Sequence, residues 1–184
     1  MKISKLKMSL GFILFLMVMI TVSKAQIPIS TIEELQKIGN DPAYPLDGDY
    51  YLTNDIDASD TRNWNDGKGF EPINYIVIGE DEYFGFRGNF DGRGFCISNL
   101  YSNYTEGEEA FGIFRFMDGG TIKNLVIDNL EITGRNSTGG LVGHVFGAVI
   151  ENKNGPIIEN IIIKNSSVKG NEHTGGLVGY ASAE

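Results

Sequence analysis

Cysteine, tryptophan and histidine are scarce in this 184-residue chain, which has one Cys, one Trp and two His. A lone Cys96 excludes an intrachain disulfide and a cysteine zinc cluster. Basic charge is short too. All 24 acidic residues lie beyond residue 25, whereas Lys2, Lys5, Lys7 and Lys24 of the 15 basic ones lie at or before Lys24, leaving 11 and a balance of −13 for residues 26–184. Such a surface argues against nucleic acid or an anionic membrane as partner, since both are bound by Lys and Arg clusters. What the chain has in quantity is Ile, Leu, Val and Phe, within a hydrophobic content of 41% that excludes general disorder. Its 24 glycines, nearly twice the usual share of about 7%, indicate a turn-dense fold.

The one long apolar run, Leu10 to Val22, has 13 residues, fewer than the roughly 20 of a membrane-crossing helix. It follows the basic Lys2, Lys5 and Lys7 and ends at Ser23-Lys24-Ala25, with small residues three and one before a cut. This is the pattern of a secretory signal peptide over 1–25, with cleavage predicted after Ala25 and a secreted or cell-surface product.

Internal repetition dominates the remainder. Thr121 to His144 aligns without a gap on Ile157 to Tyr180 at an offset of 36, with 11 of 24 positions identical. A fainter copy precedes them: Phe95 to Leu100 shares an I-x-N-L element at an offset of 25, and Phe111 to Phe114 lies 28 residues before Gly139 to Val142. The extra Ala148 to Gly155 lengthens the last unit. β-Branched runs such as Leu125-Val126-Ile127 and Ile161-Ile162-Ile163, broken by Gly and Asn, read as strands and turns. Units of roughly 25 to 28 residues without a bridging helix predict an all-β fold, a right-handed parallel β-helix in which each unit buries its apolar side against the next. The alignment stacks Ile122 on Ile158, Leu125 on Ile161, Ile127 on Ile163, Ile132 on Val168 and Leu141 on Leu177. Asn99, Asn124 and Asn160 recur at one place and Asn129 and Asn165 at another, as left-handed corners require.

Ser30-Thr31-Ile32-Glu33 has capping-box spacing, Ile32, Leu35 and Ile38 share a helical face, and Gly39-Asn40 supplies a stop. A short capping helix is therefore expected before a first strand at Tyr50-Tyr51-Leu52, as lid to the open end of the β-helix. The division is 1–25 signal peptide, 26–60 cap helix and first strands, 61–94 a loop-rich segment, and 95–184 the repeats. The third repeat stops at Tyr180 without a cap, so the chain reads as an amino-terminal piece of a longer protein, expected to self-associate through an open carboxy-terminal edge.

The order of segments carries a resemblance. Ile29 to Ile38, Tyr50 to Asp57, Gly69-Phe70-Glu71-Pro72-Ile73, Phe86 to Gly94 and two Gly-Gly-Leu-Val-Gly copies resemble bacterial secreted proteins carrying the Glug motif. These are similar to filamentous-haemagglutinin-like adhesins, with repeats like pectin-lyase-type β-helices. Two departures are local: Asn74 to Ile78 separates Pro72-Ile73 from Gly79, and the first copy has Phe111-Gly112-Ile113-Phe114 in place of GGLVG. The resemblance implies no catalytic residues.

Individual residues point to structure more than chemistry. Lys123 over Glu159, Asp128 over Lys164 and Glu131 over Ser167 form a solvated, self-neutralising wall, where a glycan-cleaving enzyme needs converging carboxylates. Asp55, Asp57 and Asp60 offer oxygens to calcium but lack the spacing of an EF-hand loop, and read as turn residues. Asp91-Gly92 reads as turn chemistry. His144 and His173 fall in different columns of the alignment and read as surface or corner residues. Trp64, with Tyr75, Tyr83 and Phe84, offers rings on which a sugar would stack, and anchoring of the loop is the competing role. No catalytic or metal-ligating residue and no cofactor is assigned, and binding residues stay unidentified.

The leading reading is a non-catalytic secreted or cell-surface module, adhesin-like or a stalk, whose partners are host or cell-surface glycans or proteins. It excludes nucleic acid and membrane insertion of the mature chain. The rivals are a carbohydrate-active enzyme or its substrate-binding segment, and a spacer attached to a downstream protease.

Overall fold

A computed structural model describes residues 24–74, 76–78, 82–106, 110–147 and 155–182, with 76–78 and 82–84 described by backbone alone. Apart from Lys24 and Ala25, the signal-peptide reading lies outside the described residues, as does most of the Ala148 to Gly155 insertion. Among the described residues no helix is long and apolar enough to cross a membrane.

The strands in chain order are β1 (Gln26–Ile29), β2 (Asp49–Leu52), β3 (Ile56–Asp57), β4 (Ile76–Ile78), β5 (Glu82–Phe84), β6 (Asn89–Asp91), β7 (Cys96–Ser98), β8 (Tyr101–Asn103) and β9 (Phe114–Met117). They continue with β10 (Thr121–Asp128), β11 (Glu131–Thr133), β12 (Thr138–Gly139), β13 (Val142–Phe146), β14 (Ile157–Lys164), β15 (Ser167–Lys169), β16 (Thr174–Gly175) and β17 (Val178–Ser182). One α-helix, α1 (Ile32–Gln36), follows β1, and 3-10 turns occupy Ser59–Asn63 and Asn65–Gly67.

The chain is all-β, as expected, but a single right-handed parallel β-helix closed by a helical lid is not the architecture found. Among the described residues the strands fall into five sheets of seven, three, three, two and two strands, one of them antiparallel. The seven-stranded sheet runs β1-β2-β6-β10-β7-β3, with β14 also on β10. Separate sheets follow from the corners. Asn99, Asn124, Asn129, Asn160 and Asn165 have φ of 52–61°, a left-handed turn that ends or kinks each run after a few residues. Among the described residues between 59 and 84 the chain takes 3-10 turns, a parallel bridge of Ile73 to Phe114 and an antiparallel pair, β4 with β5, with no full parallel strand.

The helix is also not the terminal element. Strand β1 precedes it and forms the sheet edge, pairing Gln26 with Asp49 through Ile29 with Leu52. Its Pro28 has no N–H to give a ladder, a lack best tolerated on an edge strand. The cap is shifted by one residue from the expected one: Thr31 Oγ1 accepts the Glu34 N–H at 3.2 Å, and the Glu34 carboxylate accepts from Ser30 N–H at 2.7 Å and Ser30 Oγ at 2.8 Å. The apolar face is the one expected, with Ile32, Leu35 and Ile38 buried.

At the offset of 36 the pairing is as aligned: Ile122 opposite Ile158, Leu125 opposite Ile161, Ile127 opposite Ile163 and Ile132 opposite Val168, all parallel. Leu141 donates its N–H to Leu177 O at 2.9 Å. The earlier copy registers differently. Ile97 lies opposite Ile127 and Ser102 opposite Ile132, an offset of 30 and not 25. I-x-N-L occurs twice in the later unit, at Ile122 to Leu125 and at Ile127 to Leu130; Ile97 to Leu100 pairs with the second.

Side-chain amides lock this register. Asn160 Nδ2 donates to Asn124 Oδ1 at 3.1 Å, and Asn124 Nδ2 donates to Asp91 Oδ1 at 3.0 Å. In a second column Asn129 donates to Asn99 at 2.8 Å and Asn99 to Asp57 at 2.9 Å. Replacing Asn124 by Ala removes two such bonds and places a Cβ residue without a local hydrogen bond at φ 54°, an expected cost of about 2–3 kcal/mol. Asn124→Gly restores the backbone but not the bonds, and urea unfolding should show it to be less damaging by about 1 kcal/mol.

The core gathers inward side chains of the seven-stranded sheet and of both three-stranded sheets. Its centre is aromatic: Phe86 and Phe114 lie 4.8 Å apart, Phe114 and Phe90 5.9 Å, and Tyr50 and Phe86 6.3 Å between ring centroids. On the outermost repeat Ile157, Ile162, Leu177 and Tyr180 are exposed.

Candidate functional site

The three-stranded sheet β9-β13-β17 positions a run of half-buried and exposed rings. Its register places His144 opposite Phe116 on one side and Tyr180 on the other. Neighbouring Met117 and Val145 are buried in the core, so alternation along each strand turns the Phe116, His144 and Tyr180 column outward. The rings form a chain. Phe116 lies 5.5 Å from Phe146, Phe146 3.9 Å from His144, His144 4.8 Å from Tyr180, and Tyr180 4.7 Å from His173.

His173 reaches this face from a corner. It has φ 46°, and its carbonyl accepts the Thr138 N–H at 3.1 Å, which fixes the 170–173 turn over the equivalent turn before Thr138. The histidines therefore occupy different columns, as the alignment shows, yet meet on either side of Tyr180. With Asn136, Ser137, Glu172 and the ring column they line a cleft of about 560 Å³, within the size range of small-molecule sites.

His144 Nε2 lies 3.0 Å from Ser182 Oγ. Burial, with a smaller contribution from His173, lowers the His144 pKa and favours the neutral imidazole. Its folded value lies below the ordinary value of about 6.5, so protonation as the pH falls below that value works against the folded cleft. Among the described residues that line the cleft, Glu172 is the one carboxylate. The lining thus offers apolar ring faces and a few hydrogen-bonding groups with little charge.

The residues singled out from the sequence lie elsewhere. Trp64 is half-buried and packs against the core, as a loop anchor does. The side chains of Tyr75, Tyr83 and Phe84 lie outside the described set. Asp55 Oδ1 accepts the Cys96 N–H at 2.8 Å, and Asp57 Oδ1 accepts from Ser59 N–H at 3.0 Å as well as from Asn99. Donation from Asn99 and Ser59 holds the Asp57 carboxyl below its ordinary range. Asp91 Oδ1 accepts the Arg93 N–H at 2.9 Å, the turn chemistry expected of Asp-Gly. Among the described residues no three of His, Cys, Asp and Glu converge to hold a metal ion. Burial, then Asp128 and Asp55, pushes the Cys96 thiol pKa up. In the charged wall Lys164 Nζ pairs with Asp128 at 3.2 Å, Lys123 pairs with Asp91 at 3.9 Å, and Glu131 pairs with Arg62.

The cleft was missed because its rings come from three repeats and a corner. A signal was present: offsets of 36 and 28 put Tyr180, His144 and Phe116 in one column.

Over 123 residues, 66% of the chain, the sequence is 39% identical to a protein named Halomucin from Haloquadratum walsbyi, and the match covers 1% of that protein. No protein-family model matches the chain, and no solved structure does.

Proposed function

We propose that this chain is a non-catalytic binding module of a secreted or cell-surface protein, adhesin-like in role, with the β9-β13-β17 cleft as its binding face. The observation that carries the reading is the outward column of Phe116, His144 and Tyr180, extended by Phe146 and His173 around the cleft. Five rings around one depression hold a ligand by contact area and do not by themselves activate a bond. A single carboxylate among the described lining residues supports the non-enzymatic side of the reading, since glycoside hydrolysis ordinarily takes two acidic groups flanking the scissile bond. The extracellular setting is supported by the basic, apolar and small-residue succession over 1–25, by the resemblance to Glug-motif secreted proteins, and by the likeness to the protein named Halomucin.

The test is retention without turnover. Full-length protein, exported and purified, is incubated with insoluble cell-envelope material and with pectin and alginate. The expected result is retention on the envelope material and no release of reducing ends or unsaturated sugars. Product release that disappears in Glu172→Gln would make the chain an enzyme and overturn the reading; failure to be retained would overturn the binding role.

A further inference from the structure

Resting on that reading, we infer that the cleft binds an uncharged pyranose oligosaccharide, with sugar rings lying against Tyr180, His144 and Phe146 and hydroxyls meeting Asn136, Glu172 and His173. A pyranose carries an apolar face of C–H bonds and a rim of hydroxyls that donate and accept. The lining matches both, with ring faces from three strands and polar groups from the 134–137 and 170–173 turns.

Charge selects against acidic glycans. The exported chain carries an acidic excess of 13, and the cleft has Glu172 in its lining with no Lys or Arg among the described lining residues. A uronate or sulfate would meet repulsion there with no cation among the described lining residues to offset it. A peptide added as a strand is also disfavoured at the centre of the cleft, because β13 is paired with β9 on one side and β17 on the other and has no free ladder to offer. Recognition falls to side chains, and these suit a sugar.

Isothermal titration of the full-length protein with the neutral β-1,4-linked tetrasaccharides of glucose, mannose, xylose and N-acetylglucosamine, and with tetragalacturonate, tests the inference. At least one neutral sugar is expected to bind with a Kd of about 1 mM or tighter, and tetragalacturonate at least about tenfold more weakly. Tyr180→Ala and Phe146→Ala should each weaken neutral binding about tenfold or more with the thermal midpoint nearly unchanged. Two variants are used so that misfolding of one does not decide the result. Neutral binding that survives both variants would remove the sugar from this cleft and leave the module reading standing. Tighter binding of tetragalacturonate would overturn the uncharged class. No binding of any neutral sugar at about 5 mM would overturn the inference, whereas the module reading fails only if retention on envelope material fails.

Discussion

Gly140→Val is expected to lower the thermal midpoint by about 6–12 °C, while Gly176→Val, at the equivalent repeat position, should leave it within about 2 °C. The two glycines look alike in sequence, each second in a Gly-Gly-Leu-Val-Gly run. Their surroundings differ. A Cβ built on Gly140 would lie 2.2 Å from the Gly176 carbonyl oxygen and 3.2 Å from Ile163 Cδ1, so the neighbouring strand segment would have to move. Neither glycine has a left-handed φ, which leaves close backbone approach as the reason for Gly at 140. Displacing backbone in a packed interior costs about 3 kcal/mol or more. At Gly176 no described atom lies within 4 Å of the added Cβ, and Val there should be accommodated. Equal losses at both positions in differential scanning calorimetry would contradict the difference in surroundings.

Phe114→Ala should be comparably damaging, by about 3–5 kcal/mol, the range for truncating a fully buried Phe. The side chain is completely inaccessible and lies between Phe86, tilted by 51°, and Phe90, nearly edge-on at 73°. Its backbone is tied on both sides, donating to Leu141 O at 2.8 Å and bridging Ile73 in parallel. Truncation would leave a cavity where residues from the 61–94 segment meet the repeats, and collapse is hindered because Phe90 is held in β6 and Phe86 by its bridge to Met117. Phe114→Leu, which fills part of the space, should retain about half of the loss. A change below about 1 kcal/mol for the Ala variant in chemical unfolding would mean that the aromatic centre does not tie these parts together.

Local and periodic features were the legible ones. The offset of 36 placed Ile122 on Ile158 and Ile132 on Val168, because inward apolar positions in adjacent parallel strands must coincide. The left-handed Asn corners were readable for a similar reason, since few side chains accept that backbone. Strand β1 was not legible: four residues, one of them Pro28, carry no periodic signal, and they form a strand because Tyr50 to Leu52 offers an edge. The offset of Ile97 failed because a repeated I-x-N-L allowed two alignments, and the ladder of Ile97 on Ile127, with Asn129 donating to Asn99, chooses between them. Division into five sheets depends on how far each ladder runs past its corner, which composition does not encode. The cleft depends on His173 turning back toward Tyr180, a tertiary contact between residues assigned to separate columns.

The most direct measurement is the aromatic carbon–proton NMR spectrum of the full-length protein, with ring signals assigned, recorded during titration with the neutral tetrasaccharide that binds best. The account predicts that the ring signals of His144, Phe146, His173 and Tyr180 shift together along one saturation curve while that of Trp64 stays in place. Saturable shifts centred on Trp64, with the cleft rings unmoved, would contradict it.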